Sequence, residues 1–201
     1  AGTVPGLPAL VVGSHTDTVP GGGRFDGVIG VLGAIEAVRL LRESGRRLSH
    51  PLRVVDYYNE EPNRFGLSCL GSRALAANLT PDHLALTDDD GRTLAETLIA
   101  DGRDPSAIAS CAWRPGEIAA SLELHIEQGP VLEREGATLG VVTAIAGIAR
   151  LRAVFTGRRD HGGTMPMGLR RDASCTAAGT VLALERIAAA GAGSVGTVGE
   201  I

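Results

Sequence analysis

GSHTDTVPGGGRFDG, residues Gly13 to Gly27, sets His15 and Asp17 two positions apart, then the loop Gly21-Gly22-Gly23, then Asp26 ahead of an apolar run. The residues before it, Leu7 to Ser14 (LPALVVGS), have the length and continuous apolar character of a central strand buried on both faces. From Val28 to Leu41 apolar residues are too dense for a surface helix, Gly30 and Gly33 would let that helix lie close to a sheet, and Gly45 supplies a stop signal. The stretch therefore reads as a strand whose polar end turns through a flexible loop into a helix, with a potential metal-ligand set at the turn.

Working outward, Leu52 to Tyr58 (LRVVDYY) is a second expected strand, closed by Asn59-Glu60-Glu61. Strand, helix and strand in this order form a βαβ unit with a parallel pair and a right-handed crossover. Gly71 to Ala77 and Thr93 to Ala100 read as short helices. Ser121 to Ile126 alternates, with Leu122, Leu124 and Ile126 on one face and Glu123 and His125 on the other. Gly140 to Ile145 is expected to form another strand, followed by a domain boundary near Gly147. Beyond it, Ala149 to Phe155 alternates like a half-buried strand, His161 to Met167 forms a loop, Asp172 to Ala190 is a long alanine-rich helix, and Val195 to Ile201 begins a further strand. The expected fold class is α/β, a mainly parallel sheet layered with helices over residues 1–146 plus the start of a small α/β sandwich over 147–201. The chain begins without Met and stops inside an expected strand, so a piece of a longer protein is expected.

Composition narrows the classes of function. Hydrophobic residues make up 44% of the 201, which permits a sizeable core, and aromatics only 3%, which suits helices packed on a sheet. The formal net charge of −4 and the lack of a Lys/Arg cluster argue against a nucleic-acid partner. No apolar run reaches the roughly 18 residues of a membrane-spanning helix, so no membrane partner is expected. Cys69, Cys111 and Cys175 are widely spaced, with no Cys-x-x-Cys pair, so they read as small buried residues of a reducing compartment, here the cytoplasm.

The polar residues at strand ends carry the chemistry. Ligand sites in open α/β sheets lie beyond the carboxyl ends of the strands. His15 closes the first strand, Asp26 opens the helix after it, Glu60 and Glu61 close the second strand, and His125 nearly closes a third. Imidazole and carboxylate donors suit zinc and equally manganese, nickel or cobalt, and an aspartate between two ions can bridge them. Asp17, on the same strand face as His15, is placed to accept a hydrogen bond from the imidazole and fix its tautomer. Of the paired glutamates, one can bind metal while the other takes a proton from metal-bound water. Taken singly, a His-x-Asp at a strand end is commonly a hydrogen-bonded pair and an adjacent Glu pair a solvated turn; their joint occurrence at three strand ends favours metal.

Four ordered stretches, GSHTDTVPGGGRFDG, NEEPNRFG, ELHIEQGP and GRRDHGGTMPMGLRRDA, resemble the dinuclear metal-dependent amidohydrolases of the N-carbamoyl-L-amino-acid hydrolase, β-ureidopropionase and allantoate amidohydrolase group, relatives of aminoacylase and carboxypeptidase G type metallopeptidases. The resemblance implies a three-layer zinc-peptidase-like catalytic domain followed by a dimerisation (lid) domain. It implies two divalent ions, with His15 and His125 on the first, Asp26 bridging, Glu61 on the second and Glu60 as general base. Gln128 would face the substrate, and His161 would reach the partner subunit's active site in a homodimer and help hold the oxyanion. The implied substrate is a small carbamoyl or ureido compound, with a peptidase or deacylase activity on the same site, or a non-catalytic fragment, as alternatives. Pro62-Asn63 and Gly162 depart from the group's usual residues. The group's last metal-binding histidine and its substrate-carboxylate arginine come from segments beyond those present here.

Overall fold

The computed structural model describes residues 2–191 and 193–201, which fall into two compact units, Ala1–Gly140 and Val141–Ile201. In the first unit, β1 (Ala9–Ser14), β2 (Leu52–Asp56) and β3 (Ile118–Leu122) form a parallel sheet of order β2-β1-β3. The apolar run of β1 makes it the central strand, with Ala9 and Val11 buried. Register places Ser14 beside Asp56 and Val12 beside Leu122, so all three strands end at one edge of the sheet. That edge is where the polar residues collect.

Helix α1 (Val28–Glu43) packs on this sheet through Gly30, Val31 and Ala34. The apolar run reads as too dense for a surface helix, yet Ile29, Leu32, Ile35 and Leu40 are exposed. Only one stripe of a helix can face a sheet, and the remaining apolar residues point outward here.

Residues 60–111 build a separate layer. Helices α2 (Leu70–Leu75), α3 (Pro81–Leu84) and α4 (Leu94–Ala100) precede a 3-10 segment, Pro105–Cys111. Phe65, Leu67, Leu70, Leu94 and Leu98 form its buried cluster. Helix α4 starts at a reciprocal cap in which the Thr93 hydroxyl accepts from the Glu96 amide at 3.1 Å and the Glu96 carboxylate accepts from the Thr93 amide at 2.8 Å. Helix α5 (Val131–Glu135) closes the unit. The second unit holds a 3-10 turn, Met167–Leu169, and α6 (Ala173–Ala190), whose N-cap is Asp172.

Several expected strands are corrected. β3 begins and ends earlier than the alternation at 121–126 suggested: its pairing with β1 stops at Leu122, and beyond it Glu123 accepts a 2.6 Å hydrogen bond from the Ser14 hydroxyl. Residues 140–145, 149–155 and 195–201 are not strands among the described residues. Leu151 is 96% and Ile201 98% exposed. Alternation records which side chains would be buried on a pleated surface; a strand exists only when a neighbour takes up its backbone hydrogen bonds. The domain boundary expected near Gly147 compares with a division at Gly140/Val141.

Candidate metal centre

His15 is the hub of the polar cluster and is only 1% exposed. Its Nδ1 lies 2.7 Å from the carbonyl oxygen of Asp17. A carbonyl only accepts, so Nδ1 carries the proton, and in the neutral ring Nε2 presents a bare lone pair. His125 is set up the same way, with Nδ1 2.9 Å from the carbonyl of Ile126. The two Nε2 atoms face each other at 3.2 Å, and His125 Nε2 lies 3.3 Å from Asp26 Oδ1. Two neutral rings so oriented cannot hydrogen-bond to one another; a cation shared between them satisfies both.

Burial of these groups depends on missing side chains. Gly27, directly after Asp26, has φ +65°, and a Cβ there would run into the His15 ring, 2.5 Å from Nδ1. Gly30, one turn on, would place a Cβ 2.5 Å from Ser14 Cβ and against the Leu124 carbonyl. Gly33, expected to serve the same close approach, makes only an ordinary 3.4 Å contact with Leu124.

Asp17 acts differently from the reading of its spacing. Its carboxylate lies 3.8 Å from His15 Nδ1, which is held instead by the Asp17 carbonyl. The carboxylate accepts from the amides of Glu60 at 3.1 Å and Glu61 at 3.0 Å, tying the end of β2 to the end of β1. Gln128, expected to face substrate, has φ +57° and donates its side-chain amide to both oxygens of Asp26, at 3.1 and 3.0 Å.

Two sets of side chains can hold a cation. His15, Asp26 and His125 bring ligand atoms within 4.8 Å of one another, and so do His15, Glu60 and Glu61. Glu60 Oε2 is 3.7 Å from His15 Nε2. The Glu61 carboxyl is pushed above the ordinary carboxylate range, first by burial and then by the negative charges of Asp26, Glu60 and Asp17. The mutual repulsion of these acids is what a bound cation relieves, so the donor set and its charge fit divalent metal.

His161 stands apart from these residues in sequence and lies in the second unit. It is exposed, and its Nδ1 accepts from the amides of Gly163 at 3.1 Å and Thr164 at 3.2 Å. Cys69, read from sequence only as a small buried residue, touches the Glu60 carboxylate at 3.5 Å. Neither its contact nor the Gly27 approach has a signature in spacing, though a glycine immediately after a candidate ligand is a hint of close packing.

Residues 11–198 match the sequence profile of peptidase family M20/M25/M40. The chain belongs to that family. The family is metal-dependent, in keeping with the two ligand sets. An N-carbamoyl-L-amino acid amidohydrolase of Geobacillus stearothermophilus is 42% identical over 200 residues, covering 100% of this chain and 49% of the relative. A ureidoglycolate hydrolase of Arabidopsis thaliana is 43% identical over 207 residues, covering 98% of this chain and 43% of the relative. Among solved structures, an amidase of the hydantoinase/carbamoylase family from Burkholderia multivorans superposes with a TM-score of 0.75 at 38% identity, over 98% of this chain and 48% of that one. The chain thus spans about half the length of the relatives it matches. Its α/β fold with a parallel sheet is that of these neighbours. Among the described residues, no helix is long and apolar enough to cross a membrane.

Proposed function

We propose that this M20/M25/M40 chain carries part of a metal-dependent amidohydrolase that cleaves linear C–N bonds in small carbamoyl or ureido compounds, foremost N-carbamoyl-L-amino acids. The observation that carries the reading is the convergence of His15, Asp26, Glu60, Glu61 and His125 beyond the carboxyl ends of three parallel strands. His15, Asp26 and His125 would hold one divalent ion, zinc, manganese, nickel or cobalt; Asp26 would bridge to a second held by Glu61. When bound, such ions lower the pKa of a water toward about 7 and polarise the scissile carbonyl.

The chain's own residues do the rest. Glu60 takes the proton of the attacking water and returns it to the leaving nitrogen. Asp17 holds the Glu60–Glu61 turn by two backbone hydrogen bonds, so base and ligand keep their separation. Gln128, which lies on Asp26, would face a substrate entering beside it. His161 is read as a donor to the oxyanion, delivered from the second unit, which is proposed to make a homodimer and to serve the partner subunit's site. A ureido substrate R–NH–CO–NH2 and one water give R–NH2, carbon dioxide and ammonia. The free thiols fit a cytoplasmic enzyme.

A ureidoglycolate or allantoate substrate is the second reading, favoured by a plant ureidoglycolate hydrolase and an Arabidopsis thaliana allantoate deiminase, 43% and 38% identical to this chain. Rates of the full-length protein on N-carbamoyl amino acids, ureidoglycolate, allantoate, β-ureidopropionate and N-acyl amino acids separate the two. The N-acyl amino acids of the panel test a deacylase or peptidase, and metal stoichiometry and activity of this chain beside the full-length protein test a non-catalytic fragment. Glu60→Gln is expected to keep its metal by elemental analysis and to lose turnover; retained turnover removes the base from Glu60.

A further inference from the structure

Glu60 is held at three points. Its amide donates to Asp17 Oδ1 at 3.1 Å, and its carbonyl accepts from the Cys69 amide at 2.7 Å. Its carboxylate oxygen Oε1 lies 3.5 Å from Cys69 Sγ, within reach of an S–H donor, while Oε2 points toward His15 Nε2 at 3.7 Å. A single residue, Cys69, therefore grips both the backbone and the side chain of Glu60. It does so from the N-cap of α2 in a left-handed conformation, φ +61°, which turns its Cβ back toward the end of β2. The thiol S–H is thus a donor facing a carboxylate.

We infer that Cys69 is a positioning residue for the proposed general base, its thiol fixing Glu60 Oε1 so that Oε2 is the oxygen left to take the proton from water. The inference rests on the reading of Glu60 as that base. A glutamate carboxylate samples many orientations through its side-chain torsions, and a donor on one oxygen selects among them. Among the described residues no other side chain donates to Glu60.

Infrared spectra of the metal-loaded protein test the contact without reference to activity. The S–H stretching band that disappears in Cys69→Ala is expected at lowered frequency in the parent chain and shifted upward in Glu60→Ala. Kinetics of the full-length protein test the consequence: Cys69→Ala is expected to lower kcat about fivefold, the worth of roughly one net hydrogen bond, with KM and metal content unchanged. Cys69→Ser, which keeps a donor, should recover part of that loss. A band indifferent to Glu60, or an unchanged kcat in Cys69→Ala while Glu60→Gln abolishes turnover, overturns the assignment. If Glu60→Gln itself retains turnover, the base reading falls, and the S–H band alone decides whether the thiol holds this carboxylate.

Discussion

His15 and His161 are both read as functional histidines, and the regions that hold them differ in kind. His15 is buried at the end of a central strand, with contacts to residues 110 and 45 positions away, His125 and Glu60. Its neighbours are fixed in turn by the sheet register, by Gly27 and by the Asp17 carboxylate on the next strand's end. His161 is exposed and is held by amides two and three residues on. The first histidine is organised by the fold, the second by its own loop. A change near His15 should therefore register in stability and metal binding together, whereas a change near His161 should register in turnover alone.

The sharpest contrast is between two glycines. Gly27→Ala forces a side chain into a left-handed backbone and against the His15 ring. We expect a cost of about 1–3 kcal/mol from the backbone alone, a lower Tm, and loss of metal measured by elemental analysis. Gly163→Ala beside His161 meets only an ordinary 3.7 Å contact with the ring, and Tm should hardly move. Equal losses in the two variants would break the distinction.

Asp17→Ala comes next. It leaves the amides of Glu60 and Glu61 without their acceptor, at about 1–3 kcal/mol for each part-buried group deprived of a partner. Urea denaturation should show that loss, and titration calorimetry a weakened divalent metal affinity. His161→Ala is the counterpart: stability within about 0.5 kcal/mol of the parent, metal content retained, and turnover of the full-length protein reduced. A fall in Tm comparable to that of Asp17→Ala would mean that His161 is also held by the fold.

The same division explains what was legible in the sequence. β1, α1, β2 and the gathering of polar residues beyond their ends were readable because a parallel sheet places strand ends together whatever fills the connections. α4 and α6 were readable as local helical runs, the second from its alanine content, and the structure shows Thr93 and Asp172 capping them. The strands expected in residues 140–155 were not formed, because Val141 and Leu151 alternate correctly but pairing is a property of a neighbour. Asp17 was placed at the right point and given the wrong partner: spacing shows that it shares a face with His15, but not that Glu60 and Glu61 arrive from the next strand to take its carboxylate. Cys69 left no trace at all, since its contact with Glu60 depends on the left-handed turn at its own Cα.

The smallest effect expected is on the pH dependence of stability, and it belongs to the His15 side alone. Burial and the charges of Asp26, Glu60 and Asp17 raise the Glu61 pKa in the folded chain. Between the ordinary carboxylate range and that raised value, the folded chain holds more protons than the unfolded one. Glu61 therefore contributes most below this window, and stability of the metal-free chain falls as pH rises through it. Glu36, Glu96, Asp104 and Glu117 have lowered pKa values and work in the opposite sense, losing their contribution as pH falls. The difference between the parent and Glu61→Gln isolates the Glu61 contribution from theirs. In that difference, measured by urea denaturation of metal-free protein, stability should decline with rising pH. Adding divalent metal should invert it, because binding requires the deprotonated carboxylate and so grows stronger as pH rises. A difference curve indifferent to metal would take Glu61 out of the ligand set while leaving His15, Asp26 and His125 in place.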